Sequence, residues 1–304
     1  MEMHQLRYFV AVAEEGSFSR AAERMHVAQP SLSQQMQKLE AEVGHSLFDR
    51  LSRRVTPTEA GRQLLPYARR ILSGLLDAQR CVDELASEPS GTVAFGIIPT
   101  IAPYVLQAIL EEALARIPQV KVIVREDFTE NLVRALDQGE IDLALVSTCR
   151  SGSGIYQETW GAEQLRLAVP AKHRLAQRRS VSWKDLQSET LLLLNESHCL
   201  AQQIHRWCDR HEISSSNELN AFQLSTILAL VAAGHGVSLV PAMAIPYEQR
   251  WNCAFLKMRS SIPAREINVI RNPARFWSKA TAAVSEIART IIAERLRAAG
   301  AAGR

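Results

Sequence analysis

The sequence predicts an N-terminal winged helix-turn-helix, all-α with a small β wing, over residues 1–58. A long linker helix and hinge follow over 59–90, then a two-lobed α/β domain over 91–304. Three observations predict this order: two short amphipathic runs joined by a turn, one sustained helical pattern, and strand-like runs alternating with helical ones beyond Gly91.

Composition bounds the reading without deciding it. A chain of 304 residues with 47% hydrophobic and 22% charged residues has enough apolar material for two domains, and global disorder is a poor description. Neither an apolar stretch of membrane length nor a signal-peptide pattern is present, so a cytoplasmic protein without membrane association is expected. The net charge of +3 is a weak field, and residues 1–87 carry eleven Lys and Arg against eleven Asp and Glu. Any nucleic-acid partner must therefore be inferred from arrangement.

The opening "MHQLRYFVAVAEEG" sets Leu6, Phe9, Val10 and Ala13 at helical spacing and ends at Gly16. Ser17 suits the N-cap of a second short helix, "SFSRAAERM", and a turn at His26-Val27-Ala28 leads to a third, "QPSLSQQMQKLEAEVG". In that third helix Pro30 fits the first turn, Leu32, Met36, Leu39 and Val43 form the apolar stripe, and Gly44 lies just past the end. Away from the stripe lie Ser31, Ser33, Gln34, Gln35 and Lys38. Such side chains read base edges and approach phosphates in a duplex groove, although a solvated helix face has the same composition. The helix-turn-helix spacing favours recognition. "SLFDRLSRRVTPTEAG" then supplies the apolar pair Leu47 and Phe48, the cations Arg50, Arg53 and Arg54, and a turn-forming Thr-Pro-Thr, as in a two-stranded wing.

From about Pro57 to Ser87, Leu65, Ala68, Leu72, Leu75, Gln79, Val82 and Ala86 recur at three/four spacing. Such a helix would extend roughly 45 Å. A single apolar stripe of this length predicts pairing with a second copy.

"SEPSG" at 87–91 reads as a linker. Strand-like Val93–Ile98, helical Val105–Ile117, strand-like Val120–Val124, helical Asn131–Leu136 and strand-like Leu143–Ser147 follow. "EQLRLAVPAKH" near Glu163 and "ILALVAAGHGVSLVPAMAIP" point to a second lobe. Ligands in such folds sit where strand C-termini face each other, which makes Thr100, Thr129 and Ser147 pocket candidates, though each also fits a helix cap or a turn.

In "LLLLNESHCLAQQIHRWCDRHE", Leu191 to Leu194 end a buried strand and Cys199 falls near a helix N-terminus, where backbone amides attract negative charge. His198 would add positive charge if protonated. Cys199 is thus a candidate reactive cysteine, and Cys208 lies nine residues on. Within one helix that separation is about 13.5 Å. A disulfide tolerates Cα separations of roughly 4.4–6.8 Å, so bonding the pair would require the segment to unwind. Both cysteines could equally be small core residues. Zinc is a weaker alternative, because His198, Cys199, His205 and Cys208 do not have structural-site spacing and one helix cannot converge them. No Gly-x-Ser-x-Gly elbow occurs, and Cys81, Cys149 and Cys253 read as structural or incidental.

These features together resemble the LysR-type transcriptional regulators, most specifically through "LRYFVAVAEEGSFSRAAERMHVAQPSLSQQMQKLEAEVGHSLFDRLSRRVTPTEAG". The resemblance spans essentially the whole chain. It implies a winged helix-turn-helix, a linker helix, and an effector domain resembling type 2 periplasmic binding proteins. It also implies dimers assembling into tetramers on double-stranded promoter DNA, where they act on RNA polymerase. Gln29, Pro30, Ser31, Ser33, Gln34 and Lys38 would lie at the recognition helix, with Arg53 and Arg54 in the wing.

The later part is similar to the peroxide-sensing OxyR group through "GIIPTIAPYVL", "NESHCLAQQIHRWC" and "ILALVAAGHGVSLVPAMAIP". That resemblance implies Cys199 as the peroxidatic cysteine, Cys208 as its resolving partner, and Thr100, Thr129 and His198 in the peroxide pocket. A cellular thiol would reduce the disulfide. The charged pair that follows the cysteine in that group is replaced here by Ala201 and Gln202, and Arg265 in "PAREINVI" is the candidate compensating charge. The competing function is a LysR-type regulator that binds a small metabolite between its lobes near Ser147 and Thr100, with the cysteines incidental. A metabolic enzyme is a distant third, because no complete catalytic constellation accompanies the pocket. No cofactor or metal is implied.

Overall fold

The computed structural model describes residues 1–49, 55–83, 88–147, 154–216, 221–259 and 264–301. By contacts the chain divides into two compact units. The first is Met1–Ala86 with Asp137–Glu140 and Ala274–Phe276; the second holds Ser87–Leu136, Ile141–Pro273 and Trp277–Arg304.

The first unit opens with α1 (Met3–Glu15), α2 (Phe18–Arg24) and α3 (Gln29–Val43). Their ends follow from local chemistry. Gly16 and Gly44 close α1 and α3 in the left-handed conformation, and the Ser17 hydroxyl accepts from the Arg20 amide to start α2. Leu6, Phe9, Leu32, Met36 and Leu39 are buried together, and the Phe48 ring packs 5.4 Å from Phe9 and 5.7 Å from Phe18. The wing strands β1 (Phe48–Asp49) and β2 (Thr56–Pro57) pair antiparallel. Arg50, Arg53 and Arg54 lie outside the described residues.

The helix α4 (Glu59–Asp83) begins after Thr58, whose hydroxyl accepts from the Gly61 amide and donates to the Ser46 carbonyl. The helix cannot begin earlier, because Thr56 and Pro57 belong to the wing strand β2. A Cβ at Gly61 would lie 2.2 Å from the Leu47 carbonyl oxygen, so only glycine permits this approach. The expected apolar stripe also divides. Leu64, Leu65, Ala68 and Leu72 pack on the unit's own core, whereas Tyr67, Ile71, Leu75, Leu76 and Val82 are exposed.

The second unit starts with β3 (Gly91–Ile97), α5 (Ala102–Arg116), β4 (Val120–Glu126), α6 (Thr129–Asp137), β5 (Leu143–Ser147) and β6 (Tyr156–Glu163). The chain then crosses to a second lobe with β7 (Leu165–Pro170), β8 (Ser180–Val181), β9 (Leu191–Leu192), α7 (Cys199–His211), β10 (Ser215–Ser216), α8 (Leu224–Ala232), β11 (Ser238–Pro241) and β12 (Cys253–Met258). It returns to the first lobe through β13 (Arg265–Arg271) and closes with α9 (Lys279–Ala301).

The first-lobe sheet has order β4-β3-β5-β13-β6, with β3 parallel to β4 and β5 and β13 antiparallel to β5 and β6. The second has order β11-β7-β12-β8. Parallel β3 and β5 point their C-terminal ends, Thr100 and Ser147, toward the same end of the sheet as the start of antiparallel β13. β6 is absent from the expected strands because its face is largely polar and half exposed. Among the described residues, no helix is long and apolar enough to cross a membrane.

Candidate functional site

The site is assembled from strand ends of the first lobe, the start of α6 and the start of α7 in the second lobe. Thr100 follows β3, Ser147 ends β5 and Arg265 begins β13. Arg265 is fully buried. Its Nη2 donates to Thr100 Oγ1 at 2.7 Å, its Nη1 to the Thr100 carbonyl at 3.2 Å and its Nε to Ser147 Oγ at 3.2 Å.

A buried guanidinium needs a counter-charge, and Glu163 Oε1 lies 3.4 Å from Nη1. The other Glu163 oxygen accepts from the Met243 amide at 2.9 Å. Burial pushes the Glu163 carboxyl up, opposed by Arg265 and by that amide. Burial pushes Arg265 down, opposed first by Glu163, and the guanidinium stays charged. Tyr104 stands near this pair, its hydroxyl 3.5 Å from Glu248, and burial raises its phenol above the usual range.

Cys199 is the first residue of α7, and Thr129 the first of α6. Cys199 Sγ and Thr129 Oγ1 lie 2.8 Å apart, a hydrogen bond in which either can donate. Arg265 is the nearby positive charge and interacts electrostatically with Cys199. The Gln203 amide, one turn along α7, donates to the Ala264 carbonyl at 3.2 Å and so ties the cysteine helix to the residue preceding Arg265.

His198 is buried beneath Phe128, their rings edge-on at 4.9 Å, and its Nε2 is 2.9 Å from the Phe222 carbonyl. A carbonyl only accepts, so Nε2 carries the proton and Nδ1 of the neutral ring is left as an acceptor. Burial, aided by Arg265, lowers the His198 pKa below 6.5. Burial therefore disfavours the protonated imidazolium of His198, while Arg265 is the charged group of this cluster.

Cys208 is wholly buried among the side chains around Trp207 and Ile204. Burial, with Asp209 alongside, raises its thiol to about 11. Cys199 and Cys208 are both free thiols on the same unbroken helix. Ala201 is buried and Gln202 is exposed, its amide donating to the Glu196 carbonyl. The helix ends at Glu212, which adopts the left-handed conformation at φ 54°, and both Glu212 and Ile213 amides donate to the Cys208 carbonyl.

The structure thus brings Thr100, Ser147 and Arg265 into one cluster and Cys199 and Thr129 into a second, with His198 beside the second. Glu163, Gln203, Phe128 and Phe222 were not among the sequence candidates. Only Glu163 offered a signal, a carboxylate two residues before the apolar "LRLAVP".

On α3, Gln29, Pro30, Ser31, Gln34 and Lys38 are exposed and Ser33 is half-buried. Gln35 accepts from the Gln5 amide at 3.3 Å and is turned to that internal bond.

Residues 3–62 match the bacterial regulatory helix-turn-helix protein, lysR family, and residues 86–292 match the LysR substrate binding domain. The chain is 33% identical over 274 residues to the hydrogen peroxide-inducible genes activator of Dickeya chrysanthemi, covering 90% of each. Among solved structures it is similar to a cysteine-mutant OxyR of Corynebacterium glutamicum with H2O2 bound. That match has TM-score 0.67 and 30% identity, covering 99% of this chain and 96% of that one. A full-length cysteine-to-aspartate OxyR of Pseudomonas aeruginosa matches with TM-score 0.78 and 26% identity, covering 96% and 97%. The helix-turn-helix, the two-lobed α/β fold and the cysteine helix all agree with these matches: the chain belongs to the LysR family of DNA-binding transcriptional regulators, among the relatives of OxyR.

Proposed function

We propose that this chain is a hydrogen-peroxide sensor that regulates transcription through a reversible Cys199–Cys208 disulfide. The observation that carries the reading is the position of Cys199: at a helix N-terminus, 2.8 Å from the Thr129 hydroxyl and close to the buried charge of Arg265. The names of the relatives, peroxide-inducible activators and an H2O2-bound OxyR, support the same chemistry.

In the first step the Cys199 thiolate attacks one peroxide oxygen. The O–O bond breaks, the sulfur is oxidised to sulfenic acid, and the departing hydroxide takes up a proton and leaves as water. Thr129 and Thr100 hydroxyls orient peroxide, Nδ1 of neutral His198 accepts a peroxide hydrogen, and Arg265 with Ser147 holds the Thr100 end of the pocket. In the second step the Cys208 thiol attacks the sulfenic sulfur; an S–S bond forms, the S–O bond breaks and a second water leaves. Cys208 cannot do this from its buried place in α7, so the second step waits on unwinding of the helix. A cellular thiol restores the reduced form.

The output side is assigned to residues 1–58 as the DNA-reading head, 59–90 as linker and 91–304 as sensor. Gln29, Pro30, Ser31, Ser33, Gln34 and Lys38 face promoter DNA, with Arg53 and Arg54 on the wing. The exposed apolar residues of α4 pair two copies. Dimers assemble to tetramers in the cytoplasm, and rearrangement of α7 alters their geometry on DNA and their action on RNA polymerase.

The test is to treat reduced protein with one equivalent of hydrogen peroxide and map disulfides by mass spectrometry, alongside Cys199→Ser. The reading requires a Cys199–Cys208 bond in the parent and none in the variant. If neither that bond nor a Cys199 sulfenic acid forms, the sensor reading is wrong.

A further inference from the structure

The second lobe carries a basic recess that the Cys199 site does not use. β7 and β12 run antiparallel with Leu256 opposite Leu167, so one step beyond that rung Lys257 and Arg166 come to facing positions. Ser180 of β8 flanks Lys257 on its other side. Like charges on facing strand positions destabilise a sheet unless something answers them.

Among the described residues nothing does: Arg166, Arg179 and Lys257 form no ion pair with them. Arg166 is half-buried, and burial lowers its guanidinium pKa. Arg178 and Arg259 add two more cations at the rim. Among the described residues that line it, the one carboxylate, Asp185, is already engaged by Arg178 at 2.6 Å and by the Ser182 amide and hydroxyl at 2.8 and 2.9 Å. The floor is apolar, with Phe255 and Ile245. The main recess measures about 760 Å³, within the roughly 300–1,000 Å³ usual for small-molecule sites.

We propose that this recess binds a small phosphorylated metabolite, its phosphate groups held by Arg166, Arg179 and Lys257 and its organic part lying on Phe255 and Ile245. Unpaired guanidinium forks beside an ammonium suit the several oxygens of a phosphate chain. The concave shape and apolar floor suit a small molecule better than the convex backbone of a duplex. The site lies outside the peroxide pocket, so its failure would leave the sensor reading intact.

The experiment is calorimetric titration of full-length reduced protein with pyrophosphate and with ATP at constant ionic strength. Arg166→Gln/Lys257→Gln and the exposed single variant Arg179→Gln are run in parallel. Saturable binding is expected, tighter for ATP than for pyrophosphate. Both variants should weaken it about tenfold or more without changing binding to nonspecific duplex DNA or peroxide-driven disulfide formation. Arg179→Gln removes only an exposed side chain and keeps the test decisive if the double variant is unstable. Absence of saturable binding, or binding equal in the parent and Arg179→Gln, overturns the proposal. So does a variant that loses duplex DNA affinity in step with the phosphate probes, because the recess would then be a DNA contact.

Discussion

The sulfur of Cys199 and the hydroxyl of Thr129, each on the first residue of a helix, lie 2.8 Å apart. When the sulfur is a thiolate the hydroxyl can only donate, and under the proposed function it would orient the peroxide that reaches the sulfur. Thr129→Val keeps the shape and removes the donor. Because a hydrogen bond to a charged group contributes about 1.5–3 kcal/mol, sulfenic acid formation should slow about tenfold or more. Stopped-flow kinetics with a sulfenic-acid probe measures this, and an unchanged rate would remove Thr129 from the site.

Arg265 and Glu163 are a buried pair whose members depend on each other. Glu163→Ala leaves the guanidinium without its counter-charge and should cost about 3–5 kcal/mol in urea unfolding. Glu163→Gln retains an acceptor for the Met243 amide and should cost less. Equal losses would mean that the charge is not the important property.

His198 sets a pH dependence. Its folded pKa lies below 6.5, so between those two values the unfolded chain binds a proton that the folded chain does not. The contribution is fully present above 6.5 and is lost as pH falls toward the folded pKa, with a slope of up to about 1.4 kcal/mol per pH unit. His198→Gln should flatten this part of the stability curve measured by urea unfolding between pH 7.5 and 5. A curve of unchanged slope would show that His198 does not titrate differently in the two states.

Glu212 closes α7 in a left-handed conformation that costs a non-glycine residue roughly 1–2 kcal/mol. Unwinding α7 releases that strain, so Glu212→Gly stabilises the helical, reduced form. Redox titration against glutathione should show the disulfide equilibrium shifted toward the dithiol by about fivefold. A shift toward the disulfide would contradict helix unwinding as part of the switch.

Much of this was legible in the sequence because local rules govern it. Gly16, Ser17 and Gly44 mark helix ends, Leu32, Met36 and Leu39 mark a buried stripe, and the Cys199–Cys208 spacing on one helix carries its own geometric conflict. What was not legible depends on contacts between distant residues. Arg265 meets Ser147 across 118 positions and Thr100 across 165, and no periodicity records such a meeting. Glu163 was missed along with β6, whose polar, half-exposed pattern hides a strand. On α4 one helical pattern served two faces: Leu65, Ala68 and Leu72 turned inward, leaving Tyr67, Ile71 and Leu75 outside.

Under the proposed function, peroxide chemistry at Cys199 is coupled to loss of the α7 helix. Hydrogen–deuterium exchange of the Cys199–His211 amides, before and after one equivalent of hydrogen peroxide, tests it most directly. Protection should collapse in this segment in step with formation of the Cys199–Cys208 bond, and neither should occur in Cys199→Ser. A Cys199–Cys208 disulfide formed with α7 protection intact, or α7 opening in Cys199→Ser at the same peroxide dose, would contradict the account.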